Sequence, residues 1–369
     1  MTATAQRSPA PTRQRLDTLL GKRWVRVTGA VLLAVLVLGA PLNLSPYMVY
    51  QLTLVAVFAV AVLGLNVVMG YGGQVSLGQS AFLGLGAFVT GYGVTHGWNL
   101  VVTFVAACVI PAFMGWLVAL AAARLRGLAI AMVTITLPIV GIPLARRFDE
   151  ITGGSGGLSV SFLAPPEWSG LASDQWRYYI VVAITAVFFL LARNFLRGRM
   201  GRALAIVRDN ESVALSMGVS PYRYKVLAFT VSALFGGCAG FLYLVAVQYV
   251  SPETLSFHTA INILAAMVIG GSASIVGSLL GGVYYVFVPY VASEIVGANR
   301  AAMISGAILL AILFVLPGGL VSLPRRARGL SRRRDDGGGG QPSDDGAAPE
   351  DTTTTTAHPP AETTERHER

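Results

Sequence analysis

Hydrophobic residues fall in long blocks separated by short polar interruptions. Runs of spanning length lie at about 27–45, 47–69, 77–96, 98–122, 127–146, 177–196, 224–249, 258–278, 279–297 and 300–317. An α-helix needs roughly 20 apolar residues to cross a bilayer core, so the pattern predicts an all-α polytopic membrane protein with about ten transmembrane helices. Between Val27 and Ala123 there is no Asp, Glu, Lys or Arg. Soluble domains carry about 25% charged residues, so this stretch is not a soluble surface.

One segment interrupts that apolar stretch. Gly70-Tyr71-Gly72-Gly73-Gln74-Val75-Ser76-Leu77-Gly78-Gln79 is polar and dense in glycine. Irregular backbone and amide side chains survive at membrane depth only inside protein or along a cavity, which points to a substrate path. Gly72 to Leu77 also lines up with Gly270-Gly271-Ser272-Ala273-Ser274-Ile275. The offset is five predicted helices, an odd number, so the pair reads as inverted-topology repeats meeting near the midplane. The alternative is that Gly and Ser recur in any tightly packed membrane bundle. The candidate path residues are Gly70, Tyr71, Gly72, Gly73, Gln74, Ser76, Gly78 and Gln79, with Gly270, Gly271, Ser272 and Ser274 from the second half.

A second polar interruption, 197–223, predicts a short amphipathic helix. Ile206, Val213 and Met217 fall at spacings of seven and four, on one helical stripe. Gly218 stands where a C-cap glycine belongs, and Ser220-Pro221 reads as N-cap and first position of the next helix. A short helix tied directly to a membrane helix suits the transfer of motion from a partner. The other reading is a helix lying on an anionic leaflet, which Asp209 and Glu211 oppose.

Composition and charge sharpen the membrane reading. The chain has 369 residues, 54% hydrophobic and 12% charged, with a mean hydropathy of +0.64. The net charge of +9 divides unevenly. Residues 331–369 hold five basic and nine acidic side chains, and the body keeps 22 basic ones. With both termini cytoplasmic, 18 of those 22 fall in inside segments (1–26, 123–126, 193–225 and 318–330), as the positive-inside rule requires. Only Arg146, Arg147, Arg177 and Arg300 fall outside. The basic residues flank apolar spans instead of forming one patch, so no nucleic-acid partner is expected. The expected organisation is a basic cytoplasmic segment, 1–26, a membrane domain, 27–330, and a cytoplasmic tail, 331–369, whose Asp/Gly/Ser/Pro/Thr composition predicts disorder. The run Val27–Leu44 lacks a small-residue cleavage site and reads as a first membrane helix.

Little else in the chain suggests chemistry. Cys108 and Cys238 sit in apolar segments and read as small buried residues. No His/Cys cluster predicts a metal, and no Gly-x-x-x-x-Gly-Lys-Ser/Thr motif predicts a phosphate loop. His96 and His258 fall at predicted outer boundaries. Glu294 is a carboxylate inside a predicted span, and such groups are candidates for function, but it lies about one turn from the outer end.

Gly70 to Gln79 closely resembles the signature of permease subunits of bacterial branched-chain amino acid ABC transporters. The likeness continues in order through Thr152-Gly153-Gly154-Ser155-Gly156-Gly157-Leu158, Gly201 to Gly218, Tyr249-Val250-Ser251-Pro252-Glu253 and Ile269-Gly270-Gly271-Ser272, covering roughly 45–320. The resemblance implies a ten-helix permease fold of the cobalamin-importer (type II) kind, and a non-enzymatic transport subunit in the bacterial cell (inner) membrane. It implies import of leucine, isoleucine, valine or related small amino acids and amides, delivered by an extracytoplasmic binding protein. A second, homologous permease subunit and two ATPase subunits would complete the complex, with ATP and Mg held by the ATPases and no cofactor in this chain. Arg208, Asp209, Glu211, Ala214 and Gly218 would then form the coupling element that docks on an ATPase. One departure stands out. Relatives often carry an acidic residue in the fifth helix, whereas Val133 to Pro143 here has two prolines and no charge. Two other classes stay open on the residues alone: an ion-gradient-driven secondary transporter with inverted repeats, and an intramembrane enzyme. The first lacks the buried ionisable groups that proton coupling needs, and the second lacks a nucleophile/base or metal constellation.

Overall fold

The computed structural model describes residues 37–125, 128–167 and 170–297, together with 306–307, 311 and 319–322. The expected N-terminal segment, the first half of the first helix, most of the tenth helix and the tail lie outside the described residues.

After helical residues 37–43 (α1), Ser45 caps the first long helix by accepting from Met48 N, with Pro46 at its first position, where a missing N–H costs nothing. The long helices are α2 (Pro46–Asn66), α3 (Gln79–Thr95), α4 (Leu100–Ala122) and α5 (Leu128–Arg147). A one-turn α6 (Asp149–Thr152), α7 (Ser173–Arg197) and two short helices, α8 (Arg199–Asp209) and α9 (Glu211–Ser216), follow. The chain continues through α10 (Pro221–Val247), α11 (Phe257–Gly270) and α12 (Ile275–Val296). Six helices among the described residues are long and apolar enough to cross a membrane: α2 with its extension, α4, α5, α7, α10 and α12.

Two of these form the interior. The spanning windows of α2 and α10 are 83% and 72% buried, against 22–33% for α4, α5, α7 and α12. A helix apolar on all sides is a core helix or a lipid-facing one, and the burial separates the two kinds. In lipid there is little hydrophobic gain in bringing helices together, so close backbone packing must supply the attraction. The α3–α10 contact shows this: a Cβ on Gly86 would overlap the Gly237 carbonyl, and one on Gly240 would overlap the Leu83 carbonyl. Cys108 and Cys238 are free and buried.

The ends of the bundle are distinct. At one end, Leu158–Ser159 (β1) pairs antiparallel with Tyr249–Val250 (β2), in register Leu158↔Val250. Tyr249 Oη donates to the Gly156 carbonyl (3.0 Å). Two of the sequence motifs, Thr152–Leu158 and Tyr249–Glu253, thus form one small structure. Beside it, Arg146 Nη2 meets Glu253 Oε1 at 2.8 Å in an exposed ion pair that holds the Glu253 carboxyl below its ordinary value. At the opposite end of the 25-residue α7 lie α8 and α9.

Three expectations change. The 202–217 stretch is not one helix. Asn210 leaves the helical region (φ −161°, ψ 116°) and caps α9 by accepting from Ser212 N and Val213 N. Ile206 and Met217 therefore do not share a stripe. The eighth and ninth helices part at 271–274 instead of 278/279, because Gly271 (φ 119°) and Ala273 (φ 55°) leave the right-handed region and Ser274 caps α12. The repeat is also not inverted at this pair. α12 runs antiparallel to α11 across a tight turn. It also runs antiparallel to α2, with Asn66 at Ser278, Gly282 against Val55 and Ala59, and Tyr290 near Tyr47. α2 and α11 therefore run in the same direction into their two Gly-Gly breaks.

Candidate functional site

The end of α2 does not close as an ordinary helix. Val67–Tyr71 winds into a π turn, with Gly72 N donating to Val67 O (3.0 Å) and Gln74 N reaching back to Val68 O (3.1 Å). Single π turns are uncommon and concentrate at functional positions. Residues 73–78 then form an irregular stretch to the start of α3, with burial alternating: Gln74 and Ser76 are buried, Val75 is exposed. The polar side chains of this segment point into the protein and an apolar one points out, which suits a strand running through a bundle in lipid.

Asn66 is the organising residue. It is fully buried and uses its whole carboxamide on the second half of the chain. Oδ1 accepts from Ala273 N (2.8 Å), and Nδ2 donates to Ser274 O (2.9 Å) and Ser278 Oγ (3.0 Å). The two Gly-Gly breaks named as path candidates are thus brought together, by a residue that the sequence pattern did not mark. Its signal was available: an asparagine at the end of an otherwise apolar helix needs a partner. Gly70 must be glycine here, because a Cβ would overlap Asn66 Oδ1 and lie 2.5 Å from Ala273 N.

The loop end closes on the same point. Asp209 Oδ1 accepts from Arg208 Nε and lies 3.1 Å from its Nη2, which leaves Nη1 to donate to the Gly70 carbonyl at 3.0 Å. The Arg208 stem also covers Gly73, whose φ of +66° and missing side chain are both required there. Gly70 to Gly73 therefore lie at the α8 end of the spans. Gln79 lies deeper. Its amide donates to Ser232 O (3.4 Å) and accepts from Ser232 Oγ (3.0 Å). Ser232 stands about 17 Å along α10 from Pro221, at 1.5 Å per residue. The segment climbs from the α8 end toward mid-depth, and only its Gln79 end matches the midplane expectation. Leu77 N donates to Thr134 Oγ1 (3.0 Å) on α5, a contact with no clear signal in the sequence.

The three buried polar side chains of the signature have different fates. Gln79 is fully engaged with α10. Ser76 is buried at 1% exposure. Gln74 is 4% exposed, and neither its Oε1 nor its Nε2 has a hydrogen-bond partner. A buried amide without partners is costly, so Gln74 is a side chain of this segment with hydrogen-bonding capacity left over.

The proposed coupling residues divide as well. Ala214 is fully buried, and Glu211 turns inward to pair with Lys225 at 2.5 Å, beside the start of α10. Gly218 has φ 74°, with Val219 N donating to Ala214 O (2.8 Å) in the closing turn. The outward side of α9 and its closing turn carries three large apolar side chains, Val213, Leu215 and Met217 at 48%, 63% and 65% exposure, beside the exposed Ser212 and Ser216.

A cavity of about 840 Å³ lies between α3, α4 and α5, lined by Phe82, Leu85, Val89, Met114, Leu137 and Val140 among others. Its two threonine hydroxyls are occupied: Thr136 Oγ1 donates to Met132 O, and Thr152 Oγ1 to Ala145 O and Phe148 O. These hydroxyl protons are committed to helix carbonyls, so the threonines of this cavity have none to donate to a carboxylate. Glu294 accepts from Tyr290 Oη (2.6 Å) in an exposed position away from that junction.

A family described as "Branched-chain amino acid transport system / permease component" matches residues 47–315. The chain is similar to the high-affinity branched-chain amino acid transport system permease protein LivM of Escherichia coli (strain K12), at 29% identity over 324 residues, 80% of this chain and 75% of that one. It is 24% identical over 288 residues to the corresponding LivH protein of the same organism, covering 74% of this chain and 93% of LivH. The autoinducer 2 import system permease protein LsrC of Enterobacter sp. (strain 638) is 29% identical over 213 residues, 57% of each chain.

Proposed function

The chain belongs to the family of branched-chain amino acid transport system permease components, and on that footing we propose that it is one of two homologous membrane subunits of an ATP-driven importer of leucine, isoleucine, valine or a related small amino acid or amide. It is a transport component and not an enzyme. The observation that carries the reading is the junction at Asn66, where the family signature and the second Gly-Gly break meet and Arg208 of the 197–223 loop joins them. The unpaired, buried Gln74 amide in the signature segment supports a role for that segment in recognition.

Several finer points belong to the same proposal. Similarity to both LivM and LivH supports a second, homologous permease beside this one. Val213, Leu215 and Met217 give an ATPase subunit an apolar contact, while Glu211, Ala214 and Gly218 hold α9 in shape for it. Arg208 and Asp209 face the membrane junction. Both termini lie in the cytoplasm of a bacterial inner-membrane protein, in a ten-helix arrangement of the cobalamin-importer type. An extracytoplasmic binding protein delivers substrate at the β1–β2 end, and two ATPases bind ATP and Mg at the other. ATP binding and hydrolysis favour different states of the path. The resemblance to LsrC keeps related small solutes within the substrate range.

The test is uptake of labelled leucine, isoleucine and valine into proteoliposomes containing this chain, its partner permease, the two ATPases and the binding protein. ATP-dependent uptake that ignores ionophores is the expected result. Uptake that survives ATP depletion and collapses with the ion gradient would favour a secondary transporter instead.

A further inference from the structure

We propose that Arg208, the π turn it holds through the Gly70 carbonyl, and Asn66 at the head of that turn form one connection through which α8 controls the break between α11 and α12. The inference rests on the reading above, since it assumes that a partner moves the 197–223 loop.

The connection is continuous. Asp209 holds the Arg208 guanidinium from one side, and Nη1 donates to Gly70 O from the other. A Cβ on Gly70 would overlap Asn66 Oδ1 and lie 2.5 Å from Ala273 N, so the π turn packs directly over the Asn66–Ala273 bond. Asn66 then holds Ala273, Ser274 and Ser278 through three hydrogen bonds. Movement of α8 by an ångström or two must either break the Arg208–Gly70 bond or drag the π turn with it. Asn66 stands at the head of that turn, so the second half follows.

The two linked segments are also suited to switching. The π turn lies off the regular helical minimum, and so does Ala273, a non-glycine residue at φ 55° next to Gly271 at φ 119°. Such conformations persist only while their surroundings enforce them. Releasing the enforcing bonds gives each segment a nearby alternative, which is the requirement for a two-state element. Two further ties from the 197–223 stretch, Glu211 to Lys225 of the core helix α10 and Tyr222 Oη to the Leu120 carbonyl of α4, lead to no irregular segment. Arg208 and Asn66 are therefore positioning residues, and the Glu211–Lys225 pair is a fixed anchor.

The experiment uses the complete reconstituted complex and four variants: Arg208→Ala, Arg208→Lys, Asn66→Ala and the Arg208→Ala/Asn66→Ala double. ATP hydrolysis should stay within about twofold of the unmodified complex while uptake falls about tenfold in each alanine variant, inside the 5–150-fold range of typical coupling. The double variant should lose no more than either single one, because both act on one line. Arg208→Lys, which keeps one donor but loses the Asp209 fork, should lie between. A second readout is maleimide labelling of Ser272→Cys, an exposed position in the break, in a background of Cys108→Ala and Cys238→Ala. Trapping the ATPase with nucleotide should change its labelling rate, and Arg208→Ala should abolish the change. If Asn66→Ala does not insert, the Arg208 variants and the label decide alone. Uptake within twofold of normal in Arg208→Ala, losses that multiply in the double variant, or an intact labelling response would each overturn the connection. An unmodified complex without ATP-dependent uptake would overturn the transport reading itself, and this proposal with it.

Discussion

Gln74 and Gln79 provide a paired test, because the same residue type five positions apart meets opposite surroundings. Gln74→Met keeps length and volume and removes both amide atoms, which are buried and have no partner. Leaving a buried polar group unsatisfied costs about 1–3 kcal/mol, so the substitution should raise stability by about that amount. Gln79→Met removes a bond to Ser232 O and strands Ser232 Oγ, its present donor. The same reasoning then gives a loss of about 1–3 kcal/mol. The two variants should move the melting temperature of the purified protein in detergent in opposite directions. Uptake should also separate from stability: Gln74→Met should be more stable yet transport poorly, because the free amide is the one left for substrate. Destabilisation of Gln74→Met equal to that of Gln79→Met would mean that the amide is satisfied in the folded protein, and the argument would fail. Normal uptake by a stabilised Gln74→Met would remove it from the path.

Four other outcomes are expected. Gly218→Val meets no neighbour, since nothing lies within 4 Å of an added Cβ, so its effect is the left-handed backbone penalty of about 1–2 kcal/mol; hydrolysis should persist while uptake falls in the reconstituted complex. Glu211→Ala leaves the Lys225 ammonium nearly buried; breaking a buried pair costs about 3–5 kcal/mol, but Glu211 is 39% exposed, so solvent should reduce this to about 1–2 kcal/mol, read as a lower melting temperature that Lys225→Met largely restores. Gly240→Leu would force a side chain against the Leu83 carbonyl and separate α3 from α10, costing about 1–3 kcal/mol or preventing assembly, which gel filtration of the solubilised protein would reveal. Arg146 holds Glu253 below its ordinary value of 4.5, so that pair contributes above pH 4.5 and is lost as pH falls through the depressed value; both side chains are more than half exposed, so Glu253→Gln should shift an acid-unfolding curve by no more than about 0.5 kcal/mol.

Much of the fold was written in the apolar periodicity. Eight of the expected segments are helical among the described residues, six of them long and apolar enough to cross a membrane, and their ends follow local chemistry: Ser45-Pro46 and Ser220-Pro221 start helices, and Gly218 ends one. The misplaced boundaries also have local causes. A stretch from Phe257 to Val296 is apolar enough to hide a break at Gly271–Ser274, because the sequence does not show that Ala273 will be held left-handed by a side chain more than 200 residues away. Asn210 ends a helix by capping the next one, a choice it makes equally well in either direction on propensity alone. The direction of α2 relative to α11 depends on their shared partner, α12, and so on tertiary packing that no motif alignment contains.

Within the candidate site, residue type was legible but residue role was not. Asn66, Gln74 and Gln79 are three carboxamides within fourteen residues, each equally out of place in an apolar stretch. Two of them fix the frame. Asn66 makes three hydrogen bonds to the second broken helix, and Gln79 joins α3 to the interior helix α10. At about 1 kcal/mol net for each bond, these five contacts outweigh the about 1–3 kcal/mol that Gln74 loses by staying unpaired. That imbalance is what allows an unsatisfied amide to persist at a fixed position. Without the clamp at Asn66, the irregular segment from Gly73 to Gly78 would be free to turn Gln74 toward a neighbouring backbone group and spend its capacity there. The satisfied carboxamides are thus the physical condition for the unsatisfied one.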